Sequence, residues 1–456
     1  MRLISENLLD FSPAIDRGDV KIVRDYRLRY KRISDTLERY PEILQLVDRD
    51  LQTLSRAKTR RGRRPRFTSE NLFLAVVVMQ TEGLDYRETS LRIGESETLQ
   101  NFCRLRKKKT IDFTLISRAF CAISDETWQA VNRVLAVNSA ADGLITPADI
   151  RTDTTVTECN IHWPTDSSLL WDVYRVVARE LSRAREIKPA ACPWRFHPKK
   201  AKKLHLNVTR YARSTSKRRR RQVRRWMRSL IVRVEDILEK AGDFVDRAAT
   251  SANIDLSAIA AMLKKSLPVM RQVAEIARRR EMDGERVPID EKVFSIFEPH
   301  TELIMRGRRG KPIEFGHKIL LSQSAEKFIT DYLVLEKSCS DSELLSVVID
   351  RHREIFGVHP EAVAGDMGFC PDAETYDALD EELDCLAVPR RTRDFGSEWM
   401  ALWQQWRAGI EGTISCLKRA FRLSRCCFRG FKNYASGIGS AIFCHNLVVL
   451  ANLEEP

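Results

Sequence analysis

The sequence lacks several features that would assign it to a common class. Among its 11 cysteines there is no Cys-x-x-Cys pair, no apolar run reaches 18 residues, and no hydrophobic signal segment follows Met1. We therefore expect reduced thiols in a soluble cytoplasmic protein with no disulfide framework. Cys159 and His162 have a ligand-like spacing, but no partner pair accompanies them, so zinc is not expected.

The sequence also has fewer acidic than basic residues. The 456 residues include 77 Lys and Arg against 63 Asp and Glu, a net charge of +14, while 43% of the residues are hydrophobic. This length predicts two or three domains, each with an ample core. The positive charge favours a polyanionic partner, either nucleic acid or an acidic membrane surface. Because no long apolar run is present, we favour nucleic acid.

Residues 1–145 have a helical pattern. An apolar helix is predicted over 69–81, followed by a turn at Gly83. Asp85 and Glu88 have the spacing of a capping box that opens a second helix; that helix is expected to end before Gly94, and a third to start at Ser96. This order predicts a helix-turn-helix over about residues 67–105, although any three-helix bundle gives the same pattern.

Two basic segments flank these helices. Residues 56–66 contain seven basic residues, broken by Gly62 and Pro65, and residues 104–109 form a second cluster. Such a composition suits an arm lying along phosphates or in a minor groove. The alternative is a solvated run that only aids solubility. The candidate DNA-binding residues of the first segment are Arg61, Arg63 and Arg64.

A late helix carries an acid between two bases. Arg407 precedes Glu411 by four residues and Lys418 follows it by seven, so the three side chains share one helix face. Apolar residues at 410, 414 and 417 would anchor this helix in a core. A surface ion-pair helix would have the same pattern, so the spacing alone does not identify a site.

Two further carboxylates lie at the ends of predicted strands. Asp153 belongs to a β-branched, alternating stretch, and Asp366 follows a short apolar strand and lies between Gly365 and Gly368. Each alone is more often a turn or capping residue. Asp166 and Asp172 are rivals of Asp153, but Asp166 has the position of a helix-start residue, which favours Asp153.

Three such acids are suited to phosphodiester chemistry. Cutting or joining a phosphodiester requires an activated attacking oxygen and a stabilised leaving oxygen, which two Mg²⁺ ions roughly 4 Å apart provide. Carboxylate oxygens are the preferred protein ligands of Mg²⁺. We therefore predict two Mg²⁺ ions, which Mn²⁺ can replace, held by Asp153, Asp366 and Glu411, with no small-molecule cofactor.

The spacing of the acids predicts a large insertion. There are 212 residues between Asp153 and Asp366 but only 44 between Asp366 and Glu411. Helical periodicity places a helical insertion at about 172–290, and its basic stretch 217–228 includes the candidate DNA-binding residues Arg219 and Arg220. Trp226 in this stretch is either a core anchor, which we favour, or a platform for base stacking.

The remaining segments, 146–171 and 291–453, form the predicted core. A hairpin over 313–321 and 328–335 is followed by a helix that a capping box opens at Ser340. The strand before Asp366, a helix near 375–382, a strand over 385–388 and the Glu411 helix complete it. The fold class expected is an α/β catalytic core, ribonuclease-H-like, with a large helical insertion and an N-terminal all-α DNA-binding region.

The chain resembles the DDE transposases of bacterial insertion sequences, most closely the ISNCY-type group. The resemblance runs from about Val20 to Leu453. It is densest at five segments, which are residues 153–171, 299–304, 314–318 and 365–369, and the Glu411 helix at 407–418 together with 446–450. One position departs from the pattern, because related transposases often carry a tyrosine where this chain has Gln404.

The resemblance implies a function and further contacts. It implies Mg²⁺-dependent hydrolysis at transposon DNA ends and transfer of the freed 3′-hydroxyl into target DNA, by a nucleoid-associated homodimer or larger assembly bound to double-stranded DNA. Arg407 and Lys418 would hold the DNA backbone. His300, His317 and Lys318 would line the rim of the site, although hydrogen-bonded structural histidines are the alternative. Arg390 and Arg391 directly follow a core strand, where phosphate contacts are expected.

Two other classes of protein remain open at this stage. A repurposed transposase that binds DNA as a regulator would not need three acids facing DNA, so the intact acids argue against it. A ribonuclease-H-like structure-selective nuclease would cut without joining, and the sequence does not separate it from a transposase.

Overall fold

The computed structural model describes residues 2–5, 18–54, 65–105, 110–248, 251–305, 312–390 and 397–453. These residues form a mixed α/β protein with one seven-stranded sheet and mostly helical secondary structure. The chain divides into two compact units. The first combines Met1–Asn160 with Gly316–Pro456, and the second is Ile161–Phe315. The N-terminal helices thus share one unit with most of the sheet, and the inserted unit is wider than the predicted 172–290.

Helices account for most of the described residues. The α-helices of these ranges are, in chain order, α1 (Lys21–Arg39), α2 (Glu42–Leu51), α3 (Ser69–Thr81), α4 (Tyr86–Glu95), α5 (Glu97–Phe102), α6 (Phe113–Ala122), α7 (Asp125–Ala141), α8 (Asp166–Ile187), α9 (Pro198–Tyr211), α10 (Lys217–Ala248), α11 (Ile254–Glu281), α12 (Leu345–Phe356), α13 (Ala373–Glu382), α14 (Glu398–Arg407), α15 (Gly409–Arg419) and α16 (Phe431–Leu453). The strands are β1 (Asp149–Cys159), β2 (Glu302–Met305), β3 (Ile313–Gln323), β4 (Ile329–Val334), β5 (Ala362–Ala364), β6 (Cys385–Ala387) and β7 (Arg425–Cys426).

Local sequence signals explain the N-terminal helices. The predicted helix 69–81 is confirmed as α3, which Thr68 caps, and the predicted capping box of Asp85 and Glu88 opens α4. Gly83 in the turn between them has a φ of 60°, a conformation that glycine adopts without strain. The predicted break at Gly94 is wrong, because α4 continues to Glu95 and the chain turns at Ser96, which caps α5.

Strand β1 is the centre of the sheet. It pairs antiparallel with β3 and parallel with β5; β3 pairs antiparallel with β4, and β5 pairs parallel with β6. The resulting order is β4-β3-β1-β5-β6, with β7 beside β1 and β2 beside β3.

The structure confirms the predicted strands of the core. These are the hairpin, the strand before Asp366 and the strand over 385–388. The predicted capping box at Ser340 opens a 3-10 turn, Asp341–Glu343, ahead of α12.

Helix α16 lies in the core of the first unit. Its length and composition would suffice to cross a membrane, but 89% of its most apolar window is buried inside the protein, as in the core helix of a soluble protein. Polar side chains fix its position. Asn446 accepts a hydrogen bond from the backbone N–H of Ile329 at the start of β4 and donates one to its carbonyl, at 2.9 and 2.8 Å. The edge strand is thereby joined to the core helix.

The second unit is built mainly from α8 to α11. Their apolar faces form one core that includes Val177, Leu230, Phe244 and Leu263. Trp226 is partly buried against this core, as expected of a core anchor. Helix α8 begins at Asp166, which confirms that residue as a helix start.

Candidate active site

Two of the predicted acids lie at matching positions relative to adjacent parallel strands, Asp153 within β1 and Asp366 just after β5. In the β1–β5 pair, Arg151 is opposite Ala364. Asp153 and Asp366 each follow that pair by two residues on their own chains. Neighbouring strands are about 4.8 Å apart, and residues two apart on a strand share a face. The fold thus places both carboxylates just beyond the last residue pair of β1 and β5, although β1 itself continues past Asp153 to Cys159.

Backbone amides fix the orientation of both carboxylates. The N–H of Thr154 donates to Asp153 Oδ1 at 2.7 Å, and the N–H of Gly368 donates to Asp366 Oδ1 at 2.8 Å. Asp366 also begins the 3-10 turn Met367–Phe369, so its side chain caps the turn that follows β5. Charge-assisted bonds of this kind stabilise the ionised carboxylate and limit its rotation.

Arg407 connects the third acid to the first. Its Nη1 lies 3.8 Å from Asp153 Oδ2, and its Nη2 lies 3.4 Å from Glu411 Oε1. The Arg407 side chain is 13% exposed, whereas that of Glu411 is 65% exposed. A nearly buried cation between two acids offsets their mutual repulsion and holds them near one another. The spacing of four residues predicted this pair on the helix, but not the contact with Asp153.

The predicted single helix is divided in two. Helix α14 ends at Arg407 and α15 begins at Gly409, with Ala408 between them. Arg151 on β1 causes this arrangement, because its Nη1 donates to the carbonyl of Trp406 at 2.7 Å and its guanidinium lies over the Trp406 ring. At Gly409 a β-carbon would overlap the Arg151 guanidinium, so any other residue there would have to displace that group from its hydrogen bonds.

The buried guanidinium of Arg151 is well supplied with acceptors. Its Nε donates to Gln323 Oε1 at 2.8 Å, and Gln323 in turn donates to Thr413 on α15. Burial lowers the pKa of Arg151, yet arginine stays protonated at neutral pH. The residue therefore connects the start of α15, which carries Glu411, to the central strand β1. Sequence reasoning missed this role, because it depends on partners far away in the chain.

Gln404 occupies the position where the resembling family often has a tyrosine. Its amide nitrogen donates to the carbonyls of Gly365 and Ala387, at 2.9 and 3.1 Å, and its Oε1 accepts from Arg407 Nε at 3.1 Å. The glutamine thus joins α14 to the ends of β5 and β6 and orients the arginine that contacts two acids. Its donor and acceptor groups both have partners.

Lys418 lies farther from the acids. It is in the last turn of α15, two helical turns or about 10 Å beyond Glu411 along the axis. Its side chain is half-buried. This separation suits contact with a phosphate one or two nucleotides away rather than with the reacting group.

The other predicted rim residues have internal partners. His317 is fully buried; its Nδ1 lies 3.0 Å from the carbonyl of Leu335, and its ring packs edge-on against Tyr434. Lys318 Nζ donates to Asp341 Oδ1 at 2.9 Å. In the second unit, His300 Nε2 lies 2.9 Å from Glu298 Oε2. The alternative of structural histidines therefore fits these contacts.

Asp341 is an acid that sequence reasoning missed. Besides Lys318, it accepts a hydrogen bond from Thr154 Oγ1 at 3.1 Å, and Thr154 directly follows Asp153 on β1. The only signal in the sequence was the capping box of Ser340 and Glu343. Asp341 thus supports the strand that carries Asp153.

Several predicted DNA contacts lie outside the described residues. Arg390 is described, and it forms an ion pair with Asp377 and lies over the Tyr376 ring. The hydrogen bond with Asp377 raises the pKa of Arg390. The predicted residues in undescribed segments are Arg61, Arg63, Arg64 and Arg391.

The basic stretch of the second unit forms the start of α10. All eight basic residues within 217–228 are exposed. Arg219 lies over the Tyr211 ring at 4.3 Å, and Arg220 donates to the carbonyl of Ser214 at 3.1 Å. These two contacts support the first turn of α10 while the charges stay accessible to solvent.

The rival acids of the second unit have other roles. Asp166 accepts from Arg280 through both oxygens, at 2.7 and 2.8 Å. Asp172 is buried and accepts from Arg175, and its Oδ2 lies 2.6 Å from His162 Nε2. Both carboxylates are therefore engaged in pairs within their own unit, which leaves Asp153 as the better candidate.

Similarity to known proteins does not add to this description. No protein-family model, no curated protein and no solved structure matches the chain. The candidate active site therefore rests on its geometry alone.

Proposed function

We propose that this protein is a DDE-type transposase, which hydrolyses phosphodiesters at transposon DNA ends and transfers the 3′-hydroxyl into target DNA. The observation that carries the proposal is the arrangement of the acids. Asp153 and Asp366 each follow the paired residues Arg151 and Ala364 of β1 and β5 by two positions. Arg407 connects Asp153 to Glu411. The three acids come from separate segments, with 212 and 44 residues between them in the chain.

The topology of the sheet supports a ribonuclease-H-like core. The strand order is β4-β3-β1-β5-β6, and the pairs on one side of β1 are antiparallel while those on the other side are parallel. This is the order expected for that fold. In such a core, the first acid lies on the central strand and the second follows the adjacent parallel strand. Asp153 and Asp366 have these positions.

The donor set fits a pair of divalent cations. Asp153, Asp366 and Glu411 offer carboxylate oxygens only, which are the ligands that Mg²⁺ prefers and that also accept Mn²⁺. When bound, two such ions would activate the attacking oxygen and stabilise the leaving oxygen. The protein's part is to hold the three acids in place through Arg407, Gln404 and Arg151.

Basic surfaces would bind the DNA. The eight exposed cations of 217–228 on α10 are suited to the phosphates of a duplex, and Lys418 to a phosphate near the scissile bond. The predicted DNA contact of Arg407 is not part of this proposal, because its nearly buried side chain contacts Asp153 and Glu411. The partner proposed is double-stranded DNA, both transposon ends and target, in the bacterial cytoplasm. Pairing two ends requires a homodimer or larger assembly.

A cleavage and strand-transfer assay tests the proposal. Full-length protein is incubated with labelled duplexes that carry the inverted repeats flanking the gene, with Mg²⁺, Mn²⁺ or EDTA. We expect metal-dependent cutting and joining, which Asp153→Asn, Asp366→Asn and Glu411→Gln each abolish while DNA binding persists. Asp350→Asn, which changes an exposed acid of α12 in the same unit, is the matched control and should retain activity.

The other outcomes identify the alternatives. End-specific binding without cutting in either metal would indicate a regulator. Cutting without joining and without end preference would indicate a structure-selective nuclease. Activity that survives one of the three substitutions would remove that acid from the site.

A further inference from the structure

The solvent-exposed face of α10 changes from basic to acidic along the helix. Residues 217–231 contain eight basic residues and no acid, whereas residues 234–246 contain five acids and one lysine. The change occurs around Val232, which is 56% exposed. Because the helix has 32 residues and is about 48 Å long, its basic and acidic halves are well separated.

Three basic and three acidic residues share one face of the helix with Val232. At 3.6 residues per turn, they all lie within an arc of about 80° around the helix axis. Their side chains are exposed, and they are Arg221, Arg225, Arg228, Asp236, Glu239 and Asp243. This face thus has a basic half, an apolar centre and an acidic half.

The helix itself does not explain this order of charges. The helix dipole favours acids near the N-terminus and bases near the C-terminus. The first turn of α10, residues 217–220, has four basic residues and no acid. The basic end is therefore destabilised by its own helix, and an acidic partner outside the helix would offset this effect.

The charged positions on the two sides of Val232 are mirrored. Cations precede it by 4, 7 and 11 residues, and acids follow it by 4, 7 and 11 residues. If two copies of α10 lie antiparallel with Val232 facing Val232, each of these cations meets an acid of the other copy. The contacts are Arg228 with Asp236, Arg225 with Glu239 and Arg221 with Asp243, and two-fold symmetry repeats each of them.

We propose that two copies of this protein pair through this face of α10 when no DNA is bound. Helices pack side by side at small crossing angles, and opposite charges across such a contact set the partner and its orientation. Within the described residues, Asp236 uses only Oδ2, for Lys240 at 2.6 Å, so its Oδ1 is available to the second copy. Exposed ion pairs are individually weak and are screened by salt, so the pair forms at low salt.

The pairing hides the surface that is proposed to bind DNA. Its contacts use the basic stretch 217–228, so a duplex and a second copy exclude one another there. The DNA-free pair thus differs from the assembly that is proposed to join transposon ends. The pairing itself does not depend on the proposed catalysis.

Sedimentation equilibrium of the full-length protein without DNA tests the proposal. We expect dimers at about 50 mM salt that dissociate at about 1 M salt, where the Debye length falls to about 3 Å. Excess short duplex without transposon ends should also dissociate them at low salt, because it competes for the same cations. A protein that is monomeric at low salt, or a dimer that neither salt nor duplex dissociates, would overturn the proposal.

An exchange of charges tests the individual contacts. Arg225→Glu and Glu239→Arg each turn two symmetry-related ion pairs into repulsions, so each should raise the dissociation constant of the dimer roughly tenfold. The double variant restores opposite charges at the same contacts and should pair as the natural protein does. Lys265→Glu changes the net charge as Arg225→Glu does, at an exposed residue of α11, and is the control. Pairing that the single variants leave unchanged, or that the double variant does not recover, would contradict these contacts.

Cysteine cross-linking tests the antiparallel register. Val232→Cys places a thiol at the two-fold axis, so a short bis-maleimide should link the two copies. In Asp243→Cys the two introduced thiols are about 33 Å apart along the pair and should not be linked. The natural protein, with its own 11 cysteines, gives the background. Equal linking of both variants would overturn the register. Cutting and joining by a protein that never pairs at low salt would reject the pairing and leave the proposed function intact.

Discussion

Two sets of basic residues, one in each unit, differ in their surroundings. In the first unit Arg151 is 5% exposed and the Arg407 side chain 13% exposed, and both contact groups of the protein itself. In the second unit the eight cations of 217–228 are all exposed along the start of α10. The first set holds acids and helices in position, whereas the second is presented to solvent.

This difference follows from the energetics of charge. A buried guanidinium is stable only where oxygen acceptors satisfy its N–H groups, and Arg151 has them in Trp406, Gln323 and Ser324. Exposed cations need no such partners, but closely spaced like charges repel one another. A dense exposed run is therefore consistent with the proposed DNA partner, whose phosphates would neutralise it.

The largest expected effect comes from filling the space beside Arg151. Gly409→Ala places a methyl group where it overlaps the guanidinium, so we expect a loss of about 2 kcal/mol in the free energy of unfolding, as overpacked cores show. Metal-dependent cleavage should fall as well, because α15 carries Glu411. Chemical denaturation and the cleavage assay measure the two effects.

A second glycine of the same helix provides the control for that substitution. A β-carbon on Gly412 meets no atom within 4 Å, so Gly412→Ala should be neutral or stabilise by about 0.5–1 kcal/mol through helix propensity. Equal destabilisation by the two substitutions would contradict the role assigned to Arg151.

The next largest effect concerns the orientation of Arg407. Gln404→Met keeps the size of the side chain but removes its bonds to two carbonyls and to Arg407, so we expect roughly tenfold slower cleavage, about 1.4 kcal/mol, with DNA binding unchanged. Gln405→Met is the same change at the adjacent, exposed residue and should have no effect. If weaker binding explains the loss of rate, the positioning role is wrong.

The basic stretch of α10 should affect binding rather than chemistry. Arg221→Gln with Arg225→Gln removes two exposed cations, so the slope of log affinity against log salt should fall by roughly two. Lys264→Gln with Lys265→Gln removes two exposed cations from α11 as a control. An equal fall in both variants would show that overall charge, not this stretch, binds DNA.

The parts of the site that the sequence predicted correctly are local ones. The strand that ends before Asp366, the helix 69–81 and the capping box of Asp85 each depend on a few neighbouring residues, and the structure contains them. The ion pair of Arg407 and Glu411 is local in the same sense, since the two residues are four apart and only Ala408 separates the helices that carry them. The predicted strand end at Asp153 is wrong, because β1 continues from Asp149 to Cys159.

The parts that escaped prediction depend on distant contacts. Arg151 reaches the carbonyl of Trp406, 255 residues later, and Gln404 reaches Gly365, 39 residues earlier. No periodicity or motif records such pairs. The resemblance implied that Lys318 and His317 line the rim, with structural histidines as the alternative, and their side chains have internal partners that the packing of β3 determines.

The smallest predicted effect is a dependence of stability on pH in the second unit. Burial alone would lower the pKa of His162, but its hydrogen bond to Asp172 and its contact with the Trp163 carbonyl outweigh burial, so the pKa lies above 6.5. The folded protein therefore binds this proton more tightly than the unfolded chain does. The stabilising contribution is fully present below about pH 6.5 and is lost as the pH rises through the folded pKa.

Denaturation curves between pH 5 and 9 test this. The free energy of unfolding should decline more steeply with pH for the natural protein than for His162→Gln, whereas His197→Gln, at an exposed histidine, should follow the natural protein. Parallel curves for all three would mean that Asp172 is held by Arg175 alone.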